Sequence, residues 1–390
     1  MDPRLNPYAP GAGTPPPELA GRDELIQRAS VALDRIRTGL VARGLILYGL
    51  RGVGKTVLLN RIRHDADARG FMTVSIEAPE GKSLPAILVT TLRSALLRLS
   101  RREAAKAGLR KALRALGSFA KALKVKYQDL EFGVDLDSER GLADSGDLEA
   151  DLTDLLASVG EAAAERKTAA ALFIDELQYV PEEQLAALIS ALHTASQNLS
   201  TVTMVAAGLP QVVGQAGRAK SYAERLFEFA LVDRLQGDAA RAALCVPAEK
   251  VRVSFAEEAV AEILRQTHGY PYFLQEWGKH SWDLAERSPI TRQDAKQATI
   301  HALGELDVSF FRVRFDRLSP SEKRYLRAMA KLGAGPHRSG DIAEELGQKV
   351  TTAAPVRSSL IAKGMIYSPA HGDTAFTVPL FDGFMKRIMP

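Results

Sequence analysis

The 390-residue sequence predicts an α/β protein: a parallel sheet covered by helices on both faces, then a helical segment, then a small C-terminal domain. Three observations carry that expectation. Short apolar runs alternate with amphipathic helical stretches between Leu45 and Ala207, the pattern of parallel strands joined by helical crossovers. Beyond Gly237 the chain reads as mainly helical to about Leu306, and the last 70 or so residues have a different rhythm. At roughly 150 residues per domain the length also calls for two to three domains. Hydrophobic residues at 46% and charged at 25% exclude disorder over most of the chain. No run approaches the ~18 apolar residues of a spanning helix. With Asp2 and scattered prolines where a signal peptide needs an apolar stretch, a cytoplasmic protein is expected.

Each element has its own justification. Six of the 19 prolines fall within the first 17 residues, so residues 1–18 read as a flexible arm of extended conformation that buries little. Leu25, Ile26, Ala29, Leu33 and Ile36 recur at helical spacing and end before Gly39. Leu45–Tyr48 is a short apolar strand, followed by a glycine-rich turn and a helix from Thr56 to about Ala68. Phe71–Glu77 reads as a strand, Leu84–Leu99 as a helix, Ala169–Ile174 as a buried strand, Glu182–Gln197 as a helix and Thr201–Ala207 as another strand.

Residues 100–150 interrupt the alternation and read as an insertion. Nine basic residues face one acidic residue between Arg101 and Lys126, and ten acidic residues face one basic between Tyr127 and Asp154, so the two blocks nearly cancel. Leu109, Leu113, Leu116, Phe119 and Leu123 line one face of a basic helix, and Leu130, Phe132, Val134 and Leu136 alternate like a strand. Such a helix either binds an anionic surface or packs on its own domain with a solvated basic face. The net charge of +4 by itself does not argue for nucleic acid.

The C-terminal segment opens with Ser319-Pro320-Ser321-Glu322, a helix start with proline in the first turn. Tyr325, Leu326, Met329 and Leu332 give that helix an apolar face. A second helix covers Ser339–Leu346, a third about Thr352–Lys363, and Met365–Ser368 with Ala375–Val378 form a hairpin around His371-Gly372-Asp373. Three helices and a hairpin make a winged helix. Bound to DNA, it would present Thr351, Thr352, Arg357 and Ser358 in the major groove with Lys349, Lys363 and His371 near phosphates. The alternative is a winged helix used for protein contacts only.

The strongest chemical signal is Gly49-Leu50-Arg51-Gly52-Val53-Gly54-Lys55-Thr56, which satisfies G-x-x-x-x-G-K-[ST] between an apolar strand and a helix. Glycines let main-chain N–H groups turn toward phosphate oxygens, and the helix that follows, through Val57, directs its positive end at the same charge. Lys55 would reach the β- and γ-phosphates of ATP and Thr56 would ligate Mg²⁺. The apolar run Ala170–Ile174 leads directly into Asp175-Glu176, placing two carboxylates at the carboxyl edge of a parallel sheet, where ligands bind. Asp175 would hold Mg²⁺ and Glu176 would activate water, which favours hydrolysis over simple nucleotide binding.

These motifs, with Leu19-Ala20-Gly21-Arg22 before them and His268-Gly269-Tyr270-Pro271 after, resemble the AAA+/STAND ATPases, nearest to archaeal-type ATPases and origin-recognition initiators. The resemblance covers nearly the whole chain beyond the arm. It implies a P-loop NTPase sheet with a helical lid, Gly21 and Arg22 beside the nucleotide, and Gly269 and Pro271 against its base; otherwise the latter two simply stop one helix and start the next. It also implies an arginine finger, for which Arg225 is the first candidate and Arg218 the second, unless both serve surface ion pairs. Two departures point to slow, switch-like hydrolysis. The strand after Asp175-Glu176 ends in small apolar residues instead of a polar sensor, and Phe273, Leu274, Gln275 and Glu276 stand where many relatives carry an arginine.

The expected organisation is an arm at 1–18, an ATPase core at 19–236, a lid at 237–306, a linker at 307–318 and a winged helix at 319–390. The expected function is an ATP-dependent switch acting on double-stranded DNA, with possible rivals in an ATP-driven signalling scaffold that contacts a protein partner or self-assembles, and a P-loop kinase. Scattered histidines and the lone Cys245 predict no metal beyond nucleotide-bound Mg²⁺, and there is no G-x-S-x-G elbow.

Overall fold

The computed structural model describes residues 1–11, 13–78, 80–81, 83–100, 107–126 and 138–390. The chain forms two compact units, one of Asp23–Tyr48 with Lys55–Leu231 and one of Met1–Arg22, Gly49–Gly54 and Val232–Pro390.

The sheet unit contains α1 (Asp23–Arg37), β1 (Gly44–Tyr48), α2 (Lys55–Ala68), β2 (Met72–Glu77), α3 (Leu84–Ser100), α4 (Ala107–Lys126), α5 (Leu148–Ala164), β3 (Ala170–Asp175), α6 (Glu182–Gln197), β4 (Val202–Gly208), α7 (Gln211–Ala219), α8 (Ala223–Leu226) and β5 (Phe227–Leu231). The strands are parallel in the order β2-β3-β4-β1-β5. β3 and β4 are buried along almost their whole length, as strands covered on both faces must be, which is why they read as unbroken apolar runs. Register places Tyr48 beside Gly208 and Ile174 beside Ala206, so the carboxyl ends of β1, β4 and β3 stand side by side. β5 has no counterpart in the sequence reading. It is a short edge strand, and its Phe-Glu-Phe-Ala-Leu is too brief an alternation to announce itself.

In the 100–150 stretch, Leu109, Leu116, Phe119 and Leu123 of α4 are buried. Its basic face pairs within the unit, Lys111 with Glu161 at 2.7 Å and Arg114 with Glu139 at 3.4 Å. This helix packs on its own domain. The strand expected at Leu130–Leu136 lies outside the described residues.

The second unit runs α9 (Gly237–Glu249), α10 (Glu257–Thr267), α11 (Pro271–Leu284), α12 (Arg292–Leu306), a π-helical turn at Asp307–Phe311, α13 (Arg312–Asp316), α14 (Pro320–Leu332), β6 (His337–Arg338), α15 (Ser339–Glu345), α16 (Val350–Ala362), β7 (Ile366–Tyr367), β8 (Asp373–Phe376) and α17 (Phe381–Ile388). Capping boxes start two of these helices, Thr291 with Asp294 on α12 and Ser319 with Glu322 on α14, and Pro320 adds a pre-set first turn to α14. The small sheet is antiparallel in the order β6-β8-β7. α17, which the sequence reading did not separate, lays Phe381 and Phe384 on Phe311 at ring distances of 5.8 and 5.3 Å.

The N-terminal arm corrects the expectation of a flexible segment that buries little. Tyr8 is only 4% exposed and its hydroxyl donates to the Leu244 carbonyl. The Trp282 indole N–H donates to the Asp2 carbonyl at 2.9 Å, and the Asn6 amide donates to the Lys279 carbonyl at 3.1 Å. Tyr8 fits because position 278 is glycine: a Cβ there would lie 2.6 Å from the ring. The prolines aid docking, since a chain already restricted loses less entropy when fixed.

Candidate nucleotide site

The segment Gly49–Gly54 follows β1 and is held by main-chain contacts of the second unit. A Cβ at Gly49 would lie 2.1 Å from the Val232 carbonyl oxygen, so only glycine passes. Gly52 and Gly54 have φ of 80° and 89°, in the left-handed region that glycine adopts without strain. The Tyr272 N–H donates to the Gly52 carbonyl at 3.1 Å, and the Arg51 N–H donates to the Thr377 carbonyl at 2.9 Å. Arg22 is buried and donates to the Val53 carbonyl at 3.1 Å and the Asp233 carbonyl at 2.5 Å. Burial pulls the Arg22 guanidinium below its ordinary range, against the neighbouring Asp233 carboxylate. Arg22 therefore braces the segment through carbonyls. Gly21, at φ 66°, makes the turn before it with Ala239 and Leu235 close by.

In the sheet unit, Lys55 and Thr56 open α2, whose first-turn N–H groups have no helical acceptor and favour an anion. Lys55 is buried, and Val57 is half-buried in the same turn. Thr56 makes a side-chain hydrogen bond to Asp175, and Asp175 also accepts the Glu176 N–H at 2.8 Å. Burial pushes the Asp175 carboxyl up, while the bonds from Thr56 and Glu176 and the charge of Lys55 oppose the shift. A hydroxyl against a partly desolvated carboxylate is an oxygen donor pair suited to a hard divalent cation, so these residues fit Mg²⁺.

Glu176 has φ 54°, ψ 39°, a left-handed conformation unusual for a residue with a side chain. Its carboxylate accepts a bond from the Gln178 amide, and Gln178 Oε1 accepts the Leu209 N–H at 2.9 Å. Gln178 thus ties Glu176 to the end of β4, where the sequence shows no polar sensor. The sequence reading gives Gln178 no role; its signal was the missing polar group on β4, which left that edge to a neighbour.

The remaining candidates fall in distinct places. Leu50 is half-buried. Gly269 has φ 73°, a Cβ there would lie 2.1 Å from the Leu235 carbonyl oxygen, and its own carbonyl accepts the Leu235 N–H at 2.9 Å. Pro271 is the first residue of α11. Both have firm structural reasons independent of any base contact. Arg225 is exposed and has no ion pair among the described residues, whereas Arg218 pairs with Glu182 at 3.2 Å. Of the C-terminal residues, Lys349, Thr351, Thr352, Ser358 and His371 are exposed. Arg357 is turned inward, donating to Thr374 Oγ1 at 2.8 Å and to Ser368 Oγ and the Asp373 carbonyl at 2.9 Å. Lys363 is tied to Glu322 at 2.8 Å.

Comparison with known proteins agrees with this geometry. Residues 18–205 match the AAA ATPase domain, and residues 308–385 match a domain of unknown function (DUF8462). No curated protein matches the chain. Among solved structures, the Walker-type ATPase PABY2304 of Pyrococcus abyssi is 15% identical with a TM-score of 0.61, over 98% of this chain and 99% of that one. Cdc6p from Pyrobaculum aerophilum is 15% identical with a TM-score of 0.48, over 100% and 98%. The Aeropyrum pernix ORC1 protein, solved in complex with DNA, is 16% identical with a TM-score of 0.46, over 95% and 94%. The Pyrococcus likeness establishes the fold. Residues 18–205, which span the phosphate segment and the Asp175-Glu176 strand, match the AAA ATPase domain, and with that domain the protein is a P-loop ATPase.

Proposed function

We propose that this ATPase is a slow, ATP-dependent switch whose C-terminal α14–α16 and β6–β8 form a winged helix that binds double-stranded DNA. The observation that carries the coupling is a pair of main-chain bonds within the second unit, from the Tyr272 N–H to the Gly52 carbonyl and from the Arg51 N–H to the Thr377 carbonyl. Tyr272 lies in the first turn of the lid helix α11 and Thr377 follows the hairpin strand β8, so a change in the segment is felt by both. Nucleotide acts by favouring one arrangement of these bonds, since only differential affinity shifts an equilibrium.

ATP would be held by the segment's N–H groups, Lys55 and the α2 N-terminus, with Thr56 and Asp175 holding Mg²⁺, which supplies charge stabilisation when bound. Glu176 accepts the proton of the attacking water as its oxygen bonds to the γ-phosphorus and the bond to the bridging oxygen breaks, releasing ADP and phosphate. Slow turnover is favoured by the apolar end of β4, Ala206-Ala207-Gly208, and by the lack of arginine at Phe273–Glu276. The DNA face comprises Lys349, Thr351, Thr352, Ser358 and His371; Arg357 and Lys363 act instead as internal struts.

The test is fluorescence anisotropy of a random duplex with an ATP analogue or ADP across a salt series, with Lys55→Ala as control. Nucleotide-dependent binding with a log–log salt slope of about −0.9 per phosphate contacted supports the reading. Absence of duplex binding in every state, with nucleotide binding intact, favours a second reading: ATP-driven assembly on a protein partner. Exposed Arg225 favours that reading, because an unpaired guanidinium can serve a neighbouring subunit's γ-phosphate. An ATP-induced mass increase that Arg225→Ala removes would establish it.

A further inference from the structure

We propose that α11 and α12 carry a binding site for a divalent transition metal, with zinc the best match, formed by Glu276, His280 and Glu305. Glu276 and His280 lie one helical turn apart on α11, and Glu305 meets them from α12. Their ligand atoms all lie within 4.8 Å of one another. His280 Nε2 is 3.1 Å from Glu305 Oε2 and 4.0 Å from Glu276 Oε2. Ligands about 2.0–2.2 Å from a tetrahedral Zn²⁺ are separated by roughly 3.3–3.5 Å, so small side-chain rotations close the set.

The buried members point to a cation. The Glu276 side chain is only 5% exposed. One oxygen accepts the Tyr272 hydroxyl at 2.8 Å, while the other has no hydrogen-bond partner among the described residues. His280 Nε2 likewise makes no hydrogen bond among the described residues, although Glu305 Oε2 lies 3.1 Å away. A buried carboxylate oxygen and a buried imidazole nitrogen facing one another are costly unless something lies between them. One imidazole with two carboxylates is a donor set for zinc, and three protein ligands leave a fourth position open. His301 stacks on His280 at a ring distance of 6.3 Å and is exposed, one turn before Glu305, in place to fill it. Lys279, 3.4 Å from Glu305, offsets part of the carboxylate charge from outside. Tyr272 orients Glu276 as an outer-shell partner orients a ligand.

The site does not depend on the DNA-switch reading. The experiment titrates the metal-stripped, nucleotide-free full chain with Co²⁺, followed by its visible ligand-field bands, then with Zn²⁺ in competition by calorimetry. One Co²⁺ per chain with the intense bands of four-coordination is expected, displaced by Zn²⁺. His280→Gln and Glu305→Gln should each weaken binding at least tenfold, and Tyr272→Phe should weaken it by about 10- to 100-fold. Glu305 is exposed, so its variant keeps the test valid should changes at buried Glu276 disturb folding. No bound Co²⁺, or binding undiminished in both ligand variants, would overturn the assignment.

Discussion

Gly49–Gly54 takes its shape from main chain: positive φ at Gly52 and Gly54, the Val232 carbonyl against Gly49, and bonds from Tyr272 and to Thr377. Asp175 and Glu176, at the end of β3, are placed instead by side chains, the Thr56 hydroxyl on one and the Gln178 amide on the other. Both regions belong to the proposed ATPase chemistry, with opposite tolerances. A segment built from main chain resists any added Cβ, whereas a carboxylate placed by side chains survives substitution of its supports with a graded loss.

Substitutions can break or sharpen that contrast. Glu176→Gln should lower kcat by roughly 10²- to 10⁴-fold while leaving ATP affinity intact, seen by pairing a phosphate-release assay with nucleotide titration. Turnover near that of the parent would remove Glu176 as the base. Gly49→Ala should weaken ATP binding by about 10- to 100-fold, because overpacking against the Val232 carbonyl costs about 1–3 kcal/mol. Unchanged affinity would mean that the main chain there yields readily. Gln178→Ala should lower kcat about tenfold with little change in KM, since Gln178 acts through Glu176; a change confined to KM would assign it to binding.

The smallest effect concerns a side-chain strut in the unit that holds the phosphate segment. Burial pushes the Glu322 carboxyl up, but bonds from Lys363, the Ser319 N–H and Ser359 outweigh it and bring it down to about 2. A depressed carboxyl contributes stability that is fully present above its unfolded value of about 4.5 and is lost as pH falls toward 2. Glu322→Gln should flatten that part of a urea-denaturation series taken against pH, by on the order of 1–2 kcal/mol. At neutral pH ATP affinity should barely move. A large loss would show that the Thr377 contact depends on this strut.

What was legible in the sequence follows the same division. Gly49–Thr56, Ala170–Glu176 and the Ser319–Glu322 start of α14 are local patterns, in which neighbouring residues report one another's conformation. Gln178 escaped because its meaning depends on the Leu209 N–H, which comes beside it only when β3 and β4 pair. The docking of Tyr8 escaped because its slot is a glycine far away in α11. Glu276, His280 and Glu305 escaped because their spacing crosses two helices, so a search for contiguous metal motifs finds only scattered histidines. β5 and α17 were missed as short elements whose apolar residues are too few to show a period.

The bonds to Gly52 and Arg51 also bear on how the molecule comes into being. Their partners, Tyr272 and Thr377, lie far along the chain from the segment they hold. Contacts so distant in sequence close late, since the entropy of joining the ends is lost before the contact forms. On a ribosome that delivers the N-terminal part first, β1 and α2 can be in place while the segment between them is still without its supports. Nucleotide affinity should therefore mature only after Thr377 has been made and docked, making ATP retention a reporter of that late contact.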